Sequence, residues 1–137
     1  MANKPTVYLA GPMTGIENHN APAFVAGCQG LRAAGWTVLS PEELSRDLLA
    51  RGELAGFGSP VGSPEHAACY ARRMEIDVAA VLRAVDGVAV LPGWQQSKGA
   101  RFEVLMARMM GRTIYDALSR DRLDPQPDVQ TWVDHGG

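Results

Sequence analysis

The sequence predicts an α/β protein whose parallel sheet of four to five strands is covered by helices on both faces. Three observations predict it. Short apolar, β-branched runs alternate along the chain with longer segments of helical period. Glycine and proline punctuate the junctions. The first two runs flank a helical segment in the manner of a βαβ unit, and such units build parallel sheets buried on both sides.

Thr6 to Ala10 (Thr-Val-Tyr-Leu-Ala) is β-branched and aromatic and stops at Gly11-Pro12, which makes it the first strand. Pro22 to Ala34 places Phe24, Val25, Cys28 and Leu31 at helical spacing before Gly35, and Trp36 to Ser40 follows as the second strand. Pro41 to Arg51 predicts a shorter helix with Leu44, Leu48 and Leu49 inward. Residues 52 to 64 then hold four glycines and two prolines without any period. Inside a compact domain such a connection is usually functional, and it is a candidate lid.

Ser63-Pro64-Glu65 combines a cap residue, a proline and an acid, so a helix starts there and runs to about Ala84 on the stripe Met74, Val78, Val81, Leu82 and Val85. Asp86 to Leu91 is the third strand, closed by Pro92-Gly93. After the loop, Ser97 is the expected N-cap of a helix on which Phe102, Leu105, Met106 and Met109 mark the face turned to the core. Arg112 to Tyr115 makes a fourth strand. Residues 1–118 form one α/β domain. Residues 119–137, rich in Asp, Pro and Gln but carrying Trp132 and Val133, are a tail that either stays loose or docks on this or a neighbouring subunit.

At 137 residues the chain buries about 70% of the surface it would expose unfolded, so no disulfide is needed. Cys28 and Cys69 lie in apolar surroundings without CxxC spacing and are expected as buried thiols. A net charge of −2 argues against duplex or single-stranded nucleic acid as a partner. No leader or membrane-spanning run is apparent, so a cytoplasmic protein is expected. His19, His66 and His135 have no metal-ligand spacing, and G-x-G-x-x-G, P-loop and G-x-S-x-G strings are absent. No metal or cofactor is expected.

Ligands of parallel sheets gather at the carboxyl ends of the strands. Three pieces converge there: the loop Gly11-Pro12-Met13-Thr14-Gly15, the loop Pro92 to Gly99, and the helix start holding Glu103. The first loop is either a tight turn or a ligand site. Glu103 near the first turn suits the helix dipole, which is a structural reason for an acid there. Asp77 lies beside the stripe of its helix, one turn from Arg73. It either pairs with Arg73 on a solvated face or serves a function at the edge of the core. Two carboxylates at a sheet mouth are the minimum kit for glycoside chemistry, with Glu103 as nucleophile, Asp77 as orienting or proton-handling partner, and Tyr8 able to hold Glu103 through its phenol. Trp94 is placed either to stack on a base or to anchor a subunit contact.

Tyr8-Leu-Ala-Gly-Pro12, Arg73-Met-Glu-Ile-Asp77 with Val85-Asp-Gly-Val88, and Ser97-x-Gly-Ala-x-x-Glu103 with Ala107 and Gly111 occur in order. This set resembles the nucleoside 2-deoxyribosyltransferase superfamily, and more narrowly its small phage and bacterial branch, the DUF4406 family. The resemblance spans about residues 6 to 115. It implies a flavodoxin/Rossmann-like sheet and cleavage or transfer of the N-glycosidic bond of a 2'-deoxynucleoside or its 5'-monophosphate. It also implies that Glu103 is the covalent nucleophile, that Asp77 positions it and handles the proton of the base, and that Tyr8 orients the carboxylate. Gly11, Pro12, Met13, Gly15, Trp94, Ser97, Lys98 and Gly99 would contact substrate, and the protein would be a homo-oligomer. Many transferases carry Asp and Thr where this chain has Ser97 and Ala100. Together with Lys98 and Arg101, the serine favours a monophosphate. Two rivals stand beside this reading. One is a phosphoribohydrolase with a P-G-G-x-G-T-x-x-E loop, imitated here with an insertion. The other is a nucleotide-sensing module without turnover.

Overall fold

The computed structural model describes residues 4–13 and 16–123. Four strands, β1 (Thr6–Ala10), β2 (Thr37–Leu39), β3 (Gly87–Val90) and β4 (Thr113–Asp116), pair in the order β2-β1-β3-β4, every pair parallel. This is the α/β, Rossmann-like architecture that the alternation predicts. The order reverses direction between β1 and β3, so the crevice outside their carboxyl ends is the expected ligand position. Tyr8 sits at the middle of this arrangement, in register with Leu39 on one side and Val88 on the other.

Alternate residues of the strands point to opposite faces. Val7, Leu9, Ala89 and Leu91 pack with Phe24, Cys28 and Leu31 of α1 (Ala21–Ala33). Tyr8, Ala10, Val88, Val90 and Ile114 pack against α3 (Pro64–Arg83) and α4 (Lys98–Met109). Between them, α2 (Pro41–Ala50) sends Leu44 to the second cluster, while its Leu48 joins Leu54 and Cys69 in a small cluster. Leu54 thereby ties the candidate lid down.

Helix ends follow their local chemistry. The Ser63 and Ser97 hydroxyls accept from the backbone N–H of His66 and Ala100, both at 3.1 Å, which caps α3 and α4. At the far end of α3, the Arg112 guanidinium donates to the carbonyls of Val81 and Ala84. Gly87 has φ +146°, and a Cβ there would lie 1.8 Å from the Thr113 carbonyl oxygen, so only glycine lets β3 approach β4.

Two predicted helix faces need correction. On α4 the buried residues are Ala100, Glu103, Val104 and Ala107, whereas Phe102 and Met109 are exposed. On α3 Ala80 and Val81 are buried while Leu82 and Val85 face outward. The cause is the same in both. Close seating of a helix on a sheet selects small side chains at the contact, and large apolar ones are left elsewhere. Leu49 of α2, expected inward, is also exposed. No helix of the described residues is long and apolar enough to cross a membrane.

Candidate active site

Glu103 lies in the second turn of α4, not the first, so the helix dipole contributes less to it than the sequence suggests. What holds it is Tyr8. The phenol donates to Glu103 Oε2 at 2.6 Å, and both side chains are buried. Among the described residues Glu103 is the only charged residue in the buried class.

Burial raises the Glu103 pKa to about 8; the hydrogen bond from Tyr8 opposes that rise and the charge of Asp77 adds to it. Asp77, on α3, is raised to about 6 by burial, against the positive charge of Arg73. Its Oδ1 is inaccessible and lacks a hydrogen-bond partner, and no ion pair with Arg73 forms. The solvated Asp–Arg pair is therefore not what the structure contains. Burial, together with the charges of Glu103 and Asp77, pushes the Tyr8 phenol well above its ordinary range, so it remains a donor. Burial raises Glu103 further than Asp77, so between about pH 6 and 8 the proton lies on Glu103 while Asp77 is ionised.

The two glycine-bearing loops meet beside this cluster. A Cβ on Gly11 would lie 2.9 Å from Leu91 Cβ, and one on Gly93 would lie 3.4 Å from Pro12 Cγ. Gly11 is thus required by close packing of the ends of β1 and β3. Ser97 spends its acceptor on the α4 cap. Lys98 is exposed, and Gly99 has open space where a side chain would be. Trp94 corrects an expectation: it is buried in the cluster with Val90, Ala100 and Val104, so its ring fills core and is neither a stacking platform nor an exposed anchor. Thr14, Gly15 and the tail from 124 onward lie outside the described residues.

A cavity of about 220 Å³ is walled in part by Arg73, one helical turn from Asp77 on α3. Met13 lines it, as the sequence expects of a site residue, and so do Glu42 and Arg46 of α2, Phe57 of the 52–64 connection, and Arg73. Sequence reasoning missed these four as site residues. Glu42 and Arg46 read as an ordinary i,i+4 pair, and they do form one at 3.4 Å. The available signals were an aromatic in an otherwise glycine-rich connection and an arginine one turn before Asp77. Asn18 and His19, on the rim, have φ of 54° and 51°, and Asn20 follows at 62° with its side chain donating to the Pro12 carbonyl. Such consecutive left-handed residues carry strain of a kind that concentrates at ligand sites.

Among the described residues no group of three His, Cys, Asp or Glu side chains is placed to hold a metal ion. Fold and site together define an open parallel α/β protein with a buried, tyrosine-held glutamate on the central strands of its sheet. The model of a domain of unknown function, DUF4406, matches residues 5–116, and the chain belongs to that family. No curated protein and no solved structure matches it.

Proposed function

We propose that this protein breaks the N-glycosidic bond of a 2'-deoxynucleoside or 2'-deoxynucleoside 5'-monophosphate through a covalent Glu103 intermediate, as a cofactor-independent cytoplasmic enzyme related to the nucleoside 2-deoxyribosyltransferases. The observation that carries it is the buried 2.6 Å Tyr8–Glu103 hydrogen bond on the α3–α4 face of the sheet, within the field of Asp77. Burying a carboxylate costs several kcal/mol that one hydrogen bond only partly offsets, so its presence calls for a function. Nothing in the packing requires an acid there.

In the first step ionised Glu103 attacks C1', the C1'–N bond breaks, and its electron pair leaves with the base, which takes a proton from Asp77. In the second, water or another base attacks C1' from the face the first base left. The ester bond to Glu103 breaks, and the attacking group gives its proton to Asp77, so configuration is retained. A 2'-deoxy sugar favours this route because no electron-withdrawing hydroxyl opposes the oxocarbenium-like transition state. The productive form, with Glu103 ionised and the single proton on Asp77, is the minor arrangement of the singly protonated pair because Glu103 holds its proton more tightly; kcat/KM is still bell-shaped, with limbs near pH 6 and 8. The loop before Glu103 is filled by buried Trp94 where a ribonucleotide phosphate cradle would need exposed backbone amides, which weighs against the phosphoribohydrolase reading.

The exposed Phe102 and Met109 on α4 support the homo-oligomer. A second copy presenting the same two side chains covers them. Light scattering of Met109→Glu against the unmodified protein tests this, and an unchanged mass would sink it. The activity is tested by chromatography of free base released from deoxy- and ribonucleosides and their 5'-monophosphates. Base release from ribonucleotides alone would favour the rival enzyme. Tight binding without any release would leave a sensing module.

A further inference from the structure

The cavity walled by Arg73 is smaller than the roughly 300–1,000 Å³ of pockets that take a whole drug-sized ligand, so it fits one part of a substrate. Its walls include Met13, Leu49 and Phe57, and apolar walls with an aromatic suit a flat heterocycle better than a phosphate. Of its two arginines, Arg46 already faces Glu42 at 3.4 Å. Arg73 is different. Among the described residues no carboxylate pairs with it, and its Nε is buried without a hydrogen-bond partner. It is also the residue that joins the cavity to the acid cluster, since it lies one helical turn from Asp77 on α3.

A guanidinium has five donors and no acceptor. A base edge that meets it must therefore offer an acceptor, and an exocyclic amino group there would leave donor facing donor. We propose that Arg73 is the specificity-determining residue of this site and selects leaving bases with a carbonyl oxygen over the matching amino bases. This rests on the glycosidic reading above. As Glu103 bonds to C1', the pair from the breaking C1'–N bond is delocalised in a keto base onto its carbonyl oxygen. The charge of Arg73 meets it there, so the contact strengthens in the transition state.

The test compares pairs that exchange carbonyl oxygen for amino, the adjoining ring nitrogen changing from N–H to acceptor: deoxyinosine with deoxyadenosine and deoxyuridine with deoxycytidine, each also as the 5'-monophosphate. Unmodified protein is expected to release the keto base with roughly tenfold higher kcat/KM, as expected when a buried donor site loses its acceptor. Arg73→Met removes that preference by slowing the keto substrates alone, and Arg73→Lys keeps part of it. Equal rates in the unmodified protein, or an equal fall for both members of a pair, would overturn the proposal. If no substrate releases base, the glycosidic reading fails and calorimetry with free hypoxanthine and adenine decides the role of Arg73. Preferential hypoxanthine binding that Arg73→Met abolishes sustains it; binding of neither base, or no preference, overturns it.

Discussion

The two faces of the sheet are built from the same strands, yet they do different work. On the α1 side, Val7, Leu9, Phe24, Leu31 and Leu91 make an apolar layer closed by Arg32, which is held to Glu43 by two hydrogen bonds of 2.6 and 2.7 Å at the surface. On the α3–α4 side the same strand places Tyr8 between Val7 and Leu9 in sequence, and α4 sets Glu103 among Ala100, Val104 and Ala107. One face is consistent at every position. The other accepts a buried carboxylate, and that inconsistency is what marks it as the chemical face.

The sharpest way to separate the faces is Glu103→Ala. Base release is expected to fall by about 1,000-fold or more while circular dichroism stays unchanged, as for removal of a covalent nucleophile. Leu31→Ala, on the opposite face, should give the reverse pattern. Urea denaturation is expected to show a loss of about 2–5 kcal/mol, with turnover per folded molecule preserved. If both substitutions lowered activity and stability together, the division of labour would be wrong.

Glu103→Gln sharpens the comparison through pH. Folded Glu103 holds its proton up to about pH 8, whereas the unfolded chain loses it near the ordinary carboxyl value, so between those limits the folded state binds the extra proton. Stability conferred by the native protein must then fall as pH rises through that window. The amide has no such dependence. Melting curves should show Glu103→Gln to be more stable than the native protein by on the order of 3 kcal/mol at pH 9, with the gap closing toward pH 4. The smallest effect expected is from Ser97→Ala, about 1 kcal/mol in denaturant for the lost α4 cap.

The strand and helix boundaries were legible to within one or two residues because breakers and caps are local. β1 is bounded as Thr6-to-Ala10 reads, and Ser63 and Ser97 cap as their positions suggest. Glu103, Asp77 and Tyr8 were legible as a set because their order along the chain carries the resemblance, and the structure joins Tyr8 to Glu103 directly. Two things were not legible. Hydropathy ranks Phe102 and Met109 above Ala100 and Ala107, but the helix meets the sheet through the residues that permit closest approach. The cavity draws on the loop after β1, on α2, on the 52–64 connection and on α3, and nothing in one segment announces a wall shared by four.

Tyr8 belongs to β1, an interior strand hydrogen-bonded along both edges, and the oxygen that fixes Glu103 is therefore tied to the least deformable part of the molecule. Phe57, by contrast, stands on a connection whose inward anchor is Leu54. On the proposed reading, reaction and recognition are mechanically decoupled. Relatives with a different insertion between α2 and α3 would be interchangeable parts, reshaping the pocket while Glu103 stays in place.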